Sequence, residues 1–258
     1  MKKTIKLLDG KEWGREEILK EMDNDEFYYG YLGKAALSSS NAKLLLDSPK
    51  TYKYITQYGS ASSQALRDGW LFHTAILEPE VFEKQIFVNV ESKNAKAYQE
   101  AKKEHGKVFT KKEKRDAERL ADAFYKNETA RSYITNCRFE YPAIDYIKGY
   151  PFRGKADVFC NDMIVDLKTT IDIKTFKYSA YKNSYDMQCY LYCQLFNMTY
   201  DQFKFIAIDK KSLDIGVYHC SEEFYLSGEQ KVEAAIKTYE AFFVDGLDID
   251  DYYLEGTL

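Results

Sequence analysis

The stretch GKADVFCNDMIVDLKTT, residues 154–170, decides how this chain folds. Apolar and β-branched runs flank Asn161-Asp162, a pair suited to a tight turn, so the segment predicts a hairpin with strands over 153–160 and 163–169. Side chains alternate along a strand: Met163, Val165 and Leu167 face one way, and Ile164, Asp166 and Lys168 the other. A two-residue turn pairs Cys160 with Met163, and counting back sets Asp157 opposite Asp166, with Cβ atoms roughly 4.5–5.5 Å apart. Two ionised carboxylates at that distance repel, which calls for a shared proton or a bound cation unless the hairpin face is simply solvated. A hard divalent ion, Mg2+ or Mn2+, matches such oxygen ligands. Lys168 would stand beside it, stabilising an anion or orienting water.

Upstream, 138–147 reads as a further strand, joined through Lys148-Gly149-Tyr150-Pro151, so three strands form an antiparallel meander. Downstream follow a helix over 184–196, strands over 202–208 and 214–220, and a closing amphipathic helix over 221–243. Before the meander, Ser38-Ser39-Ser40 caps a helix that ends ahead of Pro49. A second helix over 61–77 carries Leu66, Trp70, Ile76 and Leu77 on or near its apolar side and stops at Pro79. Residues 94–133 read as charged and helical, broken near Gly106. No linker divides the chain, and a single domain over 1–258 is expected: a mainly helical part to 135, a sheet core over 136–220, then the closing helix and an acidic tail.

The chain has 258 residues, 45% apolar and 30% charged, which excludes a disordered or collagen-like protein and suffices for a core without disulfides or structural metal. No apolar run approaches the ~20 residues that cross a bilayer, and no membrane partner is expected. Met1-Lys2-Lys3 is followed by Lys6 and Asp9 and does not read as a leader. The five cysteines sit among apolar neighbours, and buried reduced thiols in the cytoplasm are expected. A net charge of −4 gives no general attraction for nucleic acid, so any such site must come from local clustering. Between 101 and 115, seven Lys or Arg outweigh two Glu. Lys102, Lys103, Lys111 and Lys112, with Arg153, are therefore candidate DNA contacts, or else belong to a solvated face.

Gln188 and Tyr192, spaced i, i+4 on the helix after the meander, share a face and can orient a phosphate or carboxylate, although packing also explains the pair. His73 has Gly69 one turn before it, where the missing side chain leaves room for a ligand; a lone helical histidine is more often a packing residue. Glu140 on the first meander strand reads either as a further ligand or as a strand-edge charge.

Taken in order, these pieces resemble the PD-(D/E)xK nuclease superfamily, and within it the phage RecE-type exonucleases of the exonuclease VIII family. SSSNAKLLLDSPKTY (38–52) is similar to that family's Ser-x-Ser start, Leu-rich helix and Ser-Pro. ALRDGWLFHTAILEPEVF (65–82) is similar to its His-bearing helix and Leu-Glu-Pro element. Residues 154–170 resemble its Asp…Asp-x-Lys core, and YDMQCYLY (185–192) its Gln-x-x-x-Tyr helix. The resemblance implies an α/β (α+β) fold with a restriction-endonuclease-like core, a mixed sheet containing the meander and flanked by helices. It implies His73, Asp157, Asp166 and the Leu167 carbonyl as metal ligands, Lys168 as the catalytic lysine, and Gln188 and Tyr192 as positioning residues. The implied cofactor is Mg2+, with Mn2+ able to substitute. An iron-sulfur cluster is not expected, since the chain has no Cys-x-x-Cys. The implied activity is 5′ to 3′ exonucleolytic digestion of linear double-stranded DNA by a homo-oligomeric ring, alongside a RecT-type single-strand annealing protein, in a bacterial host's cytoplasm. An endonuclease on the same core and a non-catalytic DNA-binding assembly protein are the alternatives.

Overall fold

The computed structural model describes residues 3–255; Met1, Lys2 and the last three residues of the acidic tail lie outside the described residues. The amino-terminal region opens with a hairpin of β1 (Thr4–Lys6) and β2 (Glu12–Gly14), then α1 (Arg15–Glu21), a π-helical turn (Glu26–Tyr31) and α2 (Leu32–Ala35). Helices α3 (Ser39–Asp47) and α4 (Pro49–Tyr58) follow, both capped by serine side chains, Ser38 and Ser48. Next come α5 (Gln64–Leu77) and α6 (Pro79–Glu83), then β3 (Phe87–Val88), α7 (Lys96–His105), β4 (Phe109–Thr110), α8 (Lys111–Lys126) and α9 (Glu128–Ser132). The charged helical stretch breaks at Gly106, where the break was expected, and β4, which pairs with β3, fills the gap before α8. A Thr110–Glu113 capping box restarts the helix there.

The sheet core holds β5 (Arg138–Ile147), β6 (Tyr150–Cys160), β7 (Met163–Thr170), β8 (Phe203–Asp209) and β9 (Ile215–His219), in that spatial order. Strands β5, β6 and β7 form the antiparallel meander, β7 and β8 are parallel, and β8 and β9 antiparallel, so the sheet is mixed. The first turn closes because Lys148 and Gly149 both take positive φ, 49° and 87°, as a two-residue turn matched to strand twist requires. The second closes at Asn161-Asp162, with Cys160 paired to Met163. The parallel step needs a crossover, supplied by α10 (Phe176–Lys182) and α11 (Tyr185–Phe196). The last long helix is α12 (Glu222–Tyr239).

Alternation along β7 sorts the core. Val165 and Leu167 pack with Phe72 and Ile76 of α5 and Leu120 and Phe124 of α8. Ile164, on the other face, packs with Phe203, Phe205 and Cys189 under α11. Leu66, expected on the apolar side of α5, is instead 63% exposed at its first turn. Helix α12 approaches α11 so closely that a Cβ at Gly228 would lie 2.0 Å from the Asp186 carbonyl oxygen. Asp186, fully buried there, accepts from Ser227 Oγ and pairs with Lys231 Nζ, each at 2.7 Å.

The cysteines are not all reduced thiols as expected. Cys137 and Cys160 form a disulfide, while Cys189, Cys193 and Cys220 are free and buried. Arg138 pairs with Phe159, so the residues just beyond them face each other directly, with Cα atoms 4.8 Å apart, within bridging range. No helix among the described residues is long and apolar enough to cross a membrane.

Candidate active site

Helix α5 starts where the Ser63 side chain accepts the Leu66 N–H, and it buries Phe72 and Thr74 on either side of His73. This aims the His73 ring at the sheet, with Nδ1 3.3 Å from Asp157 Oδ2. A Cβ at Gly69, one turn earlier, would meet nothing within 4 Å, so the approach there is open.

The two carboxylates of the hairpin do not oppose each other in the ladder. Pairing of β6 with β7 ends at Val158 and Val165, and Asp157 Oδ2 accepts the Leu167 N–H at 2.8 Å instead. The β5–β6 ladder is also interrupted at this level, where Phe139–Val158 and Tyr141–Ala156 pairs flank Glu140 and Asp157. Glu140 takes φ 46°, a left-handed conformation costly for a residue with a Cβ and often retained at functional positions. One ligand atom from each of His73, Glu140 and Asp157 lies within 4.8 Å of the others. Glu140 is therefore no strand-edge charge in water: burial, and then the Asp157 carboxylate, push its pKa up to about 8.

Asp166 belongs to a second group. It is 1% exposed; the Lys168 ammonium contacts its Oδ1, and the Gln188 amide donates to its Oδ2. Lys168 Nζ also donates to Gln188 Oε1 at 3.0 Å and lies 4.7 Å from the Tyr185 ring. Burial raises the Asp166 carboxyl, and Asp157 adds to this while Lys168 opposes it. Burial alone would lower Lys168, but Asp166 and then Asp157 hold it above its ordinary value, so the lysine is a fixed cation at neutral pH.

The sequence-derived candidates thus divide. His73, Asp157 and Glu140 come together; Asp166, Lys168 and Gln188 form an adjoining triangle. Leu167 gives its N–H to Asp157 and buries its side chain against α5. Tyr192, expected beside Gln188, donates its hydroxyl to the Lys155 carbonyl at 2.8 Å. Its ring would lie 3.2 Å from a Cβ at Gly154, so it fastens α11 to β6. Arg153 is corrected as a DNA contact: it is 7% exposed, donates to the Leu32 carbonyl at 3.0 Å and covers the Tyr28 ring at 4.2 Å. Lys102 and Lys103 are exposed on α7, and Lys111 and Lys112 at the start of α8, on elements other than those that build the site. Sequence reasoning missed Lys155, whose positive charge works against the rise at Glu140. Alternation along β6 from Asp157 would have placed it on the same face.

An imidazole and two mutually repelling carboxylates suit a hard or borderline divalent cation, whose charge would relieve the repulsion. Fold and site together define a member of the PD-(D/E)xK nuclease superfamily: a mixed sheet whose central hairpin carries Asp157 and, nine residues on, Asp166-Leu167-Lys168. The chain belongs to the PDDEXK-like domain family of unknown function (DUF3799), whose model matches residues 38–244. No curated protein sequence matches it. Among solved structures, the "Putative exonuclease" of Eubacterium rectale shares the fold, with a TM-score of 0.65 and 16% identity over 91% of this chain and 95% of that one. SSO0001 (0.42, 15% identity, 86% and 84% covered) and a phage related exonuclease of Haemophilus somnus 129PT (0.37, 15%, 82% and 96%) are more distant.

Proposed function

We propose that the protein is a Mg2+-dependent exonuclease of the RecE type that digests linear double-stranded DNA, 5′ to 3′, to expose single strands for phage-type recombination. The observation that carries the reading is the pairing of the His73–Glu140–Asp157 cluster with a buried, charged Lys168. His73, Glu140 and Asp157 would hold the cation, which supplies a Lewis acid for a phosphoryl oxygen and acidifies water. Lys168, locked by Asp166 and Gln188, presents a positive charge where the phosphoryl oxygens gain negative charge in the transition state, and so favours that state over the ground state. His73 Nδ1 and the Leu167 N–H fix the Asp157 carboxylate from two directions. The name carried by the Eubacterium rectale relative points the same way.

A chain of charge −4 holds DNA poorly by diffuse attraction, and a homo-oligomeric ring with its basic residues facing the channel would keep it on the substrate. A RecT-type annealing protein would take up the exposed strand. The test compares linear duplex with covalently closed circles, in Mg2+ and in EDTA. Loss of the linear form alone, and only with metal, is expected. Cutting of closed circles would identify an endonuclease, and inertness toward both a binding protein.

A further inference from the structure

The segment EFYYGY, Glu26–Tyr31, precedes the family-matched residues and forms the π-helical turn, a shape that recurs at functional sites. It places two adjacent tyrosines in opposite circumstances. Tyr28 is 7% exposed, clamped under the Arg153 guanidinium at 4.2 Å and the Lys155 ammonium at 4.6 Å. Tyr29 is 64% exposed, its ring set edge-to-face against that of Tyr28 with centroids 4.8 Å apart at 84°. Lys155 stands two residues from Asp157 on the same face of β6, so Tyr28 beneath its ammonium, and Tyr29 packed on Tyr28, border the carboxylate cluster. The buried Arg153 thus anchors an aromatic pair whose outer ring faces water next to the site.

The core gains little from a ring left open in this way, whereas a nucleic acid whose phosphate reaches the cluster brings a base within reach of it. Every base offers a π face, so stacking on tyrosine is strong without selecting a sequence, and Lys155 adds positive charge nearby. We propose that Tyr29 is a base-stacking platform that positions the nucleotide flanking the phosphate under attack. The inference rests on the nuclease reading and adds a residue from outside the matched family region.

The test uses the full chain and a linear duplex with 2-aminopurine at its terminal nucleotide. Fluorescence is read in Ca2+, and cleavage in Mg2+, for wild type, Tyr29→Phe and Tyr29→Ala. Wild type and Tyr29→Phe should quench the probe. Tyr29→Ala should lose the quenching and raise KM on the order of ten-fold, with kcat within about two-fold and an unchanged melting temperature. Equal quenching and KM in Tyr29→Ala, or no quenching by wild type, would overturn the inference. Cleavage without quenching sinks the platform and keeps the nuclease; quenching without cleavage keeps the platform and sinks the nuclease.

Discussion

Glu140→Gln isolates the energetic signature of the carboxylate cluster. The folded protein holds the Glu140 proton to about pH 8, against an ordinary value of 4.5, first by burial and then by repulsion from Asp157. Because the folded value is raised, the stability this group contributes is fully present below pH 4.5 and is lost as pH rises through 8. At 1.36 kcal/mol per pH unit, a 3.5-unit difference sets a ceiling of about 4.8 kcal/mol. The Glu140 side chain is partly accessible, so about 2–3 kcal/mol is the expected size. Glutamine keeps the neutral shape at every pH. In urea unfolding with EDTA, wild type and variant should agree within about 0.5 kcal/mol at pH 4, and the variant should lead by about 2–3 kcal/mol at pH 9. Mn2+ at pH 8 should stabilise wild type more than the variant. Parallel pH profiles for the two proteins would refute the claim that Glu140 is buried against Asp157.

Lys168→Ala should lower single-turnover cleavage on the order of 10² or more, and should cost about 3–5 kcal/mol because Asp166 stays buried without its partner. Lys168→Arg should restore little of the rate, since a planar guanidinium cannot occupy the ammonium's position; near-equal rates for all three proteins would place the chemistry elsewhere. Gly228→Ala forces a Cβ to 2.0 Å from the Asp186 carbonyl, and thermal unfolding should show a loss of about 3 kcal/mol, whereas a loss under about 0.5 kcal/mol would mean that the α11–α12 contact is looser. Reduction of Cys137–Cys160, 23 residues apart, should cost about 3 kcal/mol in urea, with no effect of reductant on the Cys137→Ser/Cys160→Ser double variant.

The meander was legible because its turns carry their own chemistry: Lys148-Gly149 supplies two positive φ angles and Asn161-Asp162 fixes the Cys160–Met163 register. Alternation along β7 likewise placed Asp166 and Lys168 on one face and Val165 and Leu167 on the other. What alternation could not carry was the place where the ladder stops. Simple counting continued the β6–β7 pairing to Asp157 and Asp166, whereas the real strands diverge a residue sooner and Asp157 turns its carboxylate to a backbone N–H. Glu140 stayed ambiguous for the same reason, since a left-handed glutamate leaves no mark on local propensity. Arg153 read as a free basic residue because the Leu32 carbonyl and Tyr28 that occupy it lie more than a hundred positions away. The disulfide follows from strand register, which composition does not report.

Whether Asp157 and its neighbours hold a cation for phosphodiester hydrolysis is decided by single-turnover digestion of end-labelled linear duplex in Mg2+, with wild type and Asp157→Asn side by side. Wild type should release nucleotides from the ends, and the variant should do so slower by a factor on the order of 10² or more while remaining folded. An intact duplex after incubation with wild type, or equal rates from the two proteins, would contradict the account.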